Sequence, residues 1–323
     1  MKKLLIAACA TASFCAFAQE EVAPVAPVVE AETPVVEAEA PVAVEEAPAP
    51  VATEEATDTL IWGFGNYGVY SGYQLYGSLV NSEPTAQGYA EVNFNIKCDD
   101  RDFGYLGVGI WSNSDLTDKR RGSYGQAFNE WDFNLHWGKT FWFDDEKTWG
   151  LDYRTSLVWY WYPHHRNSTF VAPGHSLKTS TTMDWNHSFA LVNPYLTPFV
   201  DVVHEYHESH ANLFQFGVKR GFEISDDFSI TPQLVMVWRS HRYNWCFPTG
   251  FGALRDGPGF ATLRFQVDAN YRITDNFGLF AKVAYCSIID HDLRHNIDHE
   301  LSGADYGDYK DFFWGGVGVT FNF

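Results

Sequence analysis

The residues best suited to chemistry in this chain are its histidines and the carboxylates beside them. Two runs stand out, HEYHESH at His204 to His210 and HDLRHNIDHE at His291 to Glu300. His291, His295 and His299 recur at i, i+4 and i+8, one face of a short helix, with Asp292 and Asp298 close by. Neutral imidazole with carboxylate is borderline-soft ligation that suits Zn²⁺ or Cu²⁺, so these three are candidate metal ligands. Two other readings stand beside that one: histidines simply tolerated in wet, aromatic loops, and a pH-sensitive gate. The zincin pattern is absent, because His204-Glu205-Tyr206-His207 has the wrong spacing for it. His187-Ser188 and Ser209-His210 are two adjacent His–Ser pairs, and no nucleophile-elbow motif accompanies them. Neither catalysis nor a cofactor is expected.

A second charged set lies at alternate positions inside apolar segments. It comprises Glu91, Glu130, Asp132, His136, Asp152, Arg154, Asp201, Glu205, Lys219, Glu223, Arg264, Asp268, Arg272 and Lys282. Period-two spacing puts each of these on one face of its strand, opposite the aliphatic and aromatic face.

The elements that carry them are twelve alternating segments, at about 60–71, 88–97, 103–112, 129–142, 148–161, 181–191, 195–206, 211–223, 227–239, 261–273, 277–287 and 312–323. The segment 261–273 is clearest. Leu263, Phe265, Val267, Ala269, Tyr271 and Ile273 face one way, and Thr262, Arg264, Gln266, Asp268, Asn270 and Arg272 the other. A soluble sandwich could alternate similarly, but its loops would not be sorted by length. Here short links at 98–102, 144–147, 193–194, 225–227 and 274–276 alternate with long ones at 72–87, 113–128, 162–180, 240–260 and 288–311; only 207–210 breaks the rule. That sorting is the pattern of an antiparallel transmembrane β-barrel, all-β and twelve-stranded. Aromatics make up 17% of the chain, with twelve Trp and seventeen Tyr, an excess that suits girdles at two membrane interfaces.

The final segment, FFWGGVGVTFNF, alternates strictly and ends on Phe323. It resembles the last strand of bacterial outer-membrane barrels, which implies that Phe323 and Phe321 belong to the signal read by the barrel-insertion machinery. Its inward face is rich in glycine, so any open path is expected to run along the seam where it meets the first strand. Two misfits are expected to need local adjustment: a bulge around Gly65 and Asn66, and Arg220 on the lipid face near the inner end.

Ahead of the barrel, Met1 to Ala18 reads as a secretory leader, with Lys2 and Lys3, an apolar run and Ala16-Phe17-Ala18. Residues 19–58 hold six prolines, ten glutamates, Asp58 and no Lys or Arg. Such a segment is expected to stay disordered, as an acidic periplasmic tether that is either simply solvated or a spacer contacting the cell wall or another envelope protein. The chain carries −19 overall; eleven of its acids lie in the tether and two of its lysines in the leader, leaving −10 for 59–323. No basic stripe suggests nucleic acid. Cys98, Cys246 and Cys286 follow the leader, and a Cys246–Cys286 pair near the outer rim is one option.

With the barrel in place, the charged set becomes an inward set. Its acids cluster on the second, fourth and seventh strands and its bases mainly on the eighth, tenth and eleventh, which puts opposite charge across the lumen. One reading is a transverse field in a narrow pore; the other is structural ion pairs closing the bore. Residues 67–140 resemble the TorF-type porins through a tyrosine-rich first strand, Gly77-Ser78, PTAQG at 84–88, GVGIWSN at 107–113 and NEWDFNLHWGKTF at 129–141. Where that family usually has Arg-Gly, this chain has Tyr76-Gly77. Outer-membrane phospholipases and proteases have barrels too, but neither His–Ser pair sits in a context matching them. The expected function is a porin-like barrel passing or gating small polar solutes. The alternative is a closed barrel that works through its outer loops, by adhesion or metal capture, and through its tether. Expected contacts are outer-membrane lipid, lipopolysaccharide and the insertion machinery, with the long loops outside the cell.

Overall fold

The computed structural model of the chain describes residues 60–98, 101–117, 129–161, 181–207, 210–241, 257–300 and 310–323. The leader, the acidic segment, Cys246 and large parts of four long connections lie outside the described residues.

Every strand is antiparallel to its neighbours. In chain order they are β1 (Ile61–Tyr70), β2 (Tyr73–Leu75), β3 (Ser78–Asn81), β4 (Thr85–Cys98), β5 (Arg101–Asp115), β6 (Asn129–Trp142), β7 (Gly150–Trp161) and β8 (Thr181–Val192). There follow β9 (Thr197–Glu205), β10 (Ala211–Lys219), β11 (Phe222–Ser225), β12 (Phe228–Arg239), β13 (Gly259–Thr274), β14 (Phe277–Ile288), helix α1 (His291–Glu300) and β15 (Asp311–Asn322). The short hairpin β2–β3 stands apart from the main sheet. Each remaining strand pairs with its sequence neighbour, and β10 and β11 both pair with β12. They therefore form one stave interrupted at Arg220 and Gly221. Closure comes from β15 returning to β1, from Phe64 opposite Asn322 to Tyr70 opposite Gly316. Twelve staves result, and the closed ladder leaves no free sheet edge.

The alternation in the sequence becomes the two surfaces of the barrel. Leu106, Trp159, Trp185, Phe265 and Val317 are 43–51% exposed and point outward. Their strand neighbours, among them Asn93, Glu130, His136, Glu205 and Gln266, are buried inside. A polar interior and an apolar exterior around the whole circumference invert the soluble arrangement. The outer face is what a bilayer solvates. Rings gather near the inner turns, with Trp149 and Tyr195 centroids 6.2 Å apart. Near the outer end Tyr285 and Phe313 lie 5.2 Å apart.

Asn and Asp build the inner turns. Asn193 Oδ1 accepts from the Tyr195 and Leu196 amides, both at 3.0 Å. Asp144 Oδ1 accepts from the Thr148 amide at 2.8 Å. These local bonds substitute for ladder bonds where the chain reverses. On the outer side, Asp290 Oδ1 caps α1 by accepting from the Asp292 and Leu293 amides at 3.0 Å. Arg294 then ties that helix to the top of β15 through Asp311 at 2.8 Å.

The expected bulge at Gly65 is absent. β1 keeps one register from Ile61 opposite Phe94 to Tyr70 opposite Thr85. What looked like slipped alternation is a pair of glycines on the outward face, filled by rings from β15 and beyond. A Cβ on Gly63 would lie 2.1 Å from Phe323 Cζ, and one on Gly65 would lie 2.2 Å from the Phe321 ring. Aromatic rings laid over strand glycines restore the packing that glycine lacks. Arg220 does fall near the inner end, with its guanidinium 5.1 Å from the Phe222 ring centroid.

The first outer connection is not an outer loop. Hairpin β2–β3 contacts staves around the whole circumference, which only a segment inside the bore can do. Tyr73 packs against Trp111 of β5, ring centroids 5.6 Å apart and tilted by 38°. Arg264 of β13 and Thr262 reach Gln74 and the Tyr76 carbonyl. Trp314 of β15 donates to the Gly72 carbonyl at 2.8 Å.

Candidate functional site

The lumen holds three groups of side chains, and the hairpin touches two of them. In its middle, Glu91 of β4 accepts from Arg154 Nη2 of β7 at 2.8 Å, from Asn93 Nδ2 at 3.0 Å and from the Tyr89 hydroxyl. Asn93 Oδ1 then faces His136 Nε2 at 2.7 Å. Because the Asn93 amide nitrogen is committed to Glu91, its oxygen must be the acceptor and His136 donates from Nε2. The bond spans β5 only because Gly107 stands between the two residues. A Cβ there would lie 2.2 Å from Asn93 Oδ1 and 2.3 Å from His136 Nε2.

The second group is the seat of the hairpin. Its turn has positive φ at both central residues, Tyr76 at 50° and Gly77 at 79°, as a two-residue type I′ turn requires. Left-handed backbone is unfavourable for tyrosine by about 1–2 kcal/mol. The docked contacts offset it. The Tyr76 side chain packs on a buried apolar cup of Val203, Ala211, Leu213, Val235 and Val237. Its carbonyl accepts from Thr262 Oγ1 at 2.9 Å and Arg239 Nη2 at 3.3 Å. Leu79 joins Tyr70, Phe280, Cys286, Phe312 and Trp314 in a second apolar cluster, where Tyr70 and Trp314 stack at 5.2 Å.

That second cluster occupies the inner side of the β15–β1 seam. The glycine slots there are taken by rings: a Cβ on Gly316 would lie 2.1 Å from Tyr70. The expected open path along the seam is therefore closed by side chains reaching in from β1, β3 and β14.

Open space lies on the other side. A cavity of ≈ 190 Å³ sits beside Tyr76 and is lined by Arg154, Asn186, Ser188, Asp201 and Gln215 among others. Arg154, Ser188, Asp201 and Gln215 are successive register partners across β7, β8, β9 and β10, so they form one transverse row. Ser188 Oγ donates to Asp201 Oδ1 at 2.6 Å, and Gln215 Nε2 approaches Asp201 Oδ2 at 3.4 Å.

Nearer the outer end, Glu130, Asp132, Asp184 and Glu205 gather under the hairpin. Asp184 and Glu205 stand directly opposite each other on β8 and β9. Tyr160 donates to Asp184 Oδ2 at 2.8 Å, and Thr182 to Glu205 Oε1 at 2.6 Å. The Tyr73 side chain is buried against these carboxylates, hydrogen-bonded to Glu130 with Asp132 close by.

The remaining charged residues fall toward the inner half. Asp152 accepts from Thr140 at 3.1 Å. Asp268 takes Gln233 and Gln266, both at 2.8 Å. Lys282 stands 5.6 Å from the Phe280 ring and Lys219 5.8 Å from that of Phe199. Glu223 is exposed, and Arg272, 54% exposed, lies 3.6 Å from Asp227 at the inner mouth. Sequence reasoning missed Tyr73, Tyr76, Asp184 and Arg239. Strand alternation exposes Asp184 and Arg239; no pattern announces the hairpin.

The histidine candidates part company. His291 and His295 rings lie parallel, 6.4 Å apart, on exposed helix surface. The His299 side chain is outside the described residues, and no group of three ligating residues is placed to hold a metal among the described ones. His187 and Ser188 point to opposite faces. His187 Nδ1 meets the Tyr153 hydroxyl at 2.9 Å on the outer surface while Ser188 faces the lumen, so they form no catalytic pair. Cys286 is buried with a free thiol, and Cys246, its suggested partner, lies outside the described residues.

The fold and its polar interior define a transmembrane β-barrel of the outer-membrane type. No family model matches the chain, and no curated protein matches its sequence. Among solved structures the KdgM porin aligns at 8% identity over 81% of this chain and 99% of its own, with a TM-score of 0.40. An outer-membrane channel from Pseudomonas putida F1 aligns at 11% identity over 81% and 94%, with a TM-score of 0.44. Outer membrane phospholipase A from Escherichia coli aligns at 11% over 80% and 92%, with a TM-score of 0.40. Channels and an enzyme occur together in this group, and likeness at this level says nothing about solute or activity.

Proposed function

We propose that the protein is a porin-like channel of the bacterial outer membrane, its bore narrowed by the inserted hairpin β2–β3. The observation that carries this reading is the cavity beside Tyr76, into which Arg154, Ser188, Asp201 and Gln215 bring polar groups, set inside a closed barrel whose outside is apolar. Small polar solutes would pass between the hairpin tip and the Arg154–Asp201 row. Glu91, Asp152, Asp268 and Lys282 would set the field along the path, and Glu223 and Arg272 would greet solutes at the inner mouth. Phe321 and Phe323 would serve the insertion machinery, and residues 19–58 would reach the cell wall or other envelope proteins.

A closed binding barrel is the second reading. The apolar cup beneath Tyr76 favours it, because a dry seat holds the hairpin in place. Recording refolded protein in planar bilayers separates the two. Stepwise conductance is expected for the channel, and silence across salts and pH would leave the closed barrel.

A further inference from the structure

The cavity beside Tyr76 has unspent hydrogen-bonding capacity of both signs. Arg154 uses Nη2 on Glu91 and Tyr89, and no hydrogen bond engages its Nε or Nη1 among the described residues. Its side chain keeps 32% of its surface exposed. Two acceptors stand on the next two staves, β8 and β9. Asn186 Oδ1 is buried and has no partner among the described residues. Asp201 Oδ2 receives only the long 3.4 Å approach of Gln215. A buried acceptor without a donor costs about 1–3 kcal/mol, which a ligand N–H would recover.

The spacing is defined by the sheet. Arg154 and Asp201 are separated by Ser188, which is two strand spacings or about 10 Å between backbones. Side chains leaning inward from that distance leave room for one small molecule between them. The volume, ≈ 190 Å³, corresponds to about six waters at roughly 30 Å³ each. Charge near the cavity balances, three against three: Arg154 faces Glu91, Asp201 has Lys219 and Arg264 within electrostatic reach, and Arg264 has Asp268 as well. A net ion therefore gains nothing over a neutral dipolar molecule.

We propose that this cavity binds a small zwitterion of the amino-acid type, its carboxylate on Arg154 and its ammonium on Asp201 and Asn186. The inference deepens the channel reading and rests on it, since the solute must reach the lumen.

Equilibrium dialysis of the full barrel in detergent tests it with four probes: L-alanine, lactate, isopropylamine and glucose. Alanine should be retained, with lactate and isopropylamine at least tenfold weaker, because each lacks one of the two charges. Asp201→Asn, which keeps the Ser188 contact, should weaken alanine at least tenfold and leave lactate unchanged. Arg154→Gln should weaken alanine and lactate together; if that variant does not fold, Asp201→Asn decides. Retention of all four probes alike, preference for glucose, no retention of alanine, or no effect of Asp201→Asn overturns the proposal. Conductance in KCl is measured on the same preparation. A conducting barrel that ignores alanine sinks this proposal alone, whereas one that binds alanine without conducting supports the site and removes the channel.

Discussion

Glycine decides much of the chemistry at the scale of single residues. Gly107 lets Asn93 and His136 meet across an intervening strand, and Gly63 and Gly65 receive the rings of Phe323 and Phe321. Gly107→Val should separate the Asn93–His136 pair and leave buried polar atoms unmatched, at about 1–3 kcal/mol each. Urea titration followed by tryptophan fluorescence should show the midpoint fall; an unchanged midpoint would mean the bond carries no weight. Gly65→Val places side-chain atoms where the Phe321 ring lies. It should reduce the fraction of refolded protein that shifts on unheated gels, while Gly221→Ala, whose nearest neighbour is Thr231 Oγ1 at 3.7 Å, should not. Sequence alternation made Glu91, Asp201 and Asp268 legible as inward residues. It could not show that Arg154 pairs with Glu91 three staves away, because that contact depends on the glycine-lined inner face of β5.

At the scale of elements, the staves were legible and the hairpin was not. Apolar alternation and turn residues report whether a segment can lie between lipid and lumen. Loop length reports only that chain is available, not whether it folds outward or into the bore. An isolated two-stranded hairpin is marginal in water, so β2–β3 depends on the Tyr76 cup and on Trp314 and Thr262. Gly77→Val should undock it. Left-handed φ would add about 1–2 kcal/mol, and the new Cβ would lie 2.5 Å from Thr262 Oγ1. Chymotrypsin applied to intact cells should then cut at Tyr73 or Tyr76 several-fold faster than in the wild type. Equal cleavage of both proteins would contradict a docked hairpin.

At the scale of the whole barrel, the described residues leave one side packed and one side open. The seam of β15, β1 and β14 is filled by Tyr70, Phe280, Leu79 and Trp314; the cavity lies against β7 to β10. The sorted loop lengths predicted twelve staves, and Cys98 is exposed at the short β4–β5 turn, the end that the same sorting assigns to the periplasm. With Cys246 and Cys286 changed to serine, a membrane-impermeant maleimide should label Cys98 only after the outer membrane is opened. Labelling in intact cells would reverse the orientation. The seam expectation failed because an inward face rich in glycine looks empty in a sequence, whereas in three dimensions neighbouring rings move into it.

The central claim is the proposed one, that the inserted hairpin narrows a solute path through the barrel. Single-channel recording in planar bilayers, comparing the wild type with a variant whose residues 73–81 are replaced by a short Gly-Ser link, tests it most directly. Stepwise conductance in the wild type that rises several-fold in the variant is the predicted result. Equal conductance in the two, or none in either, would contradict it.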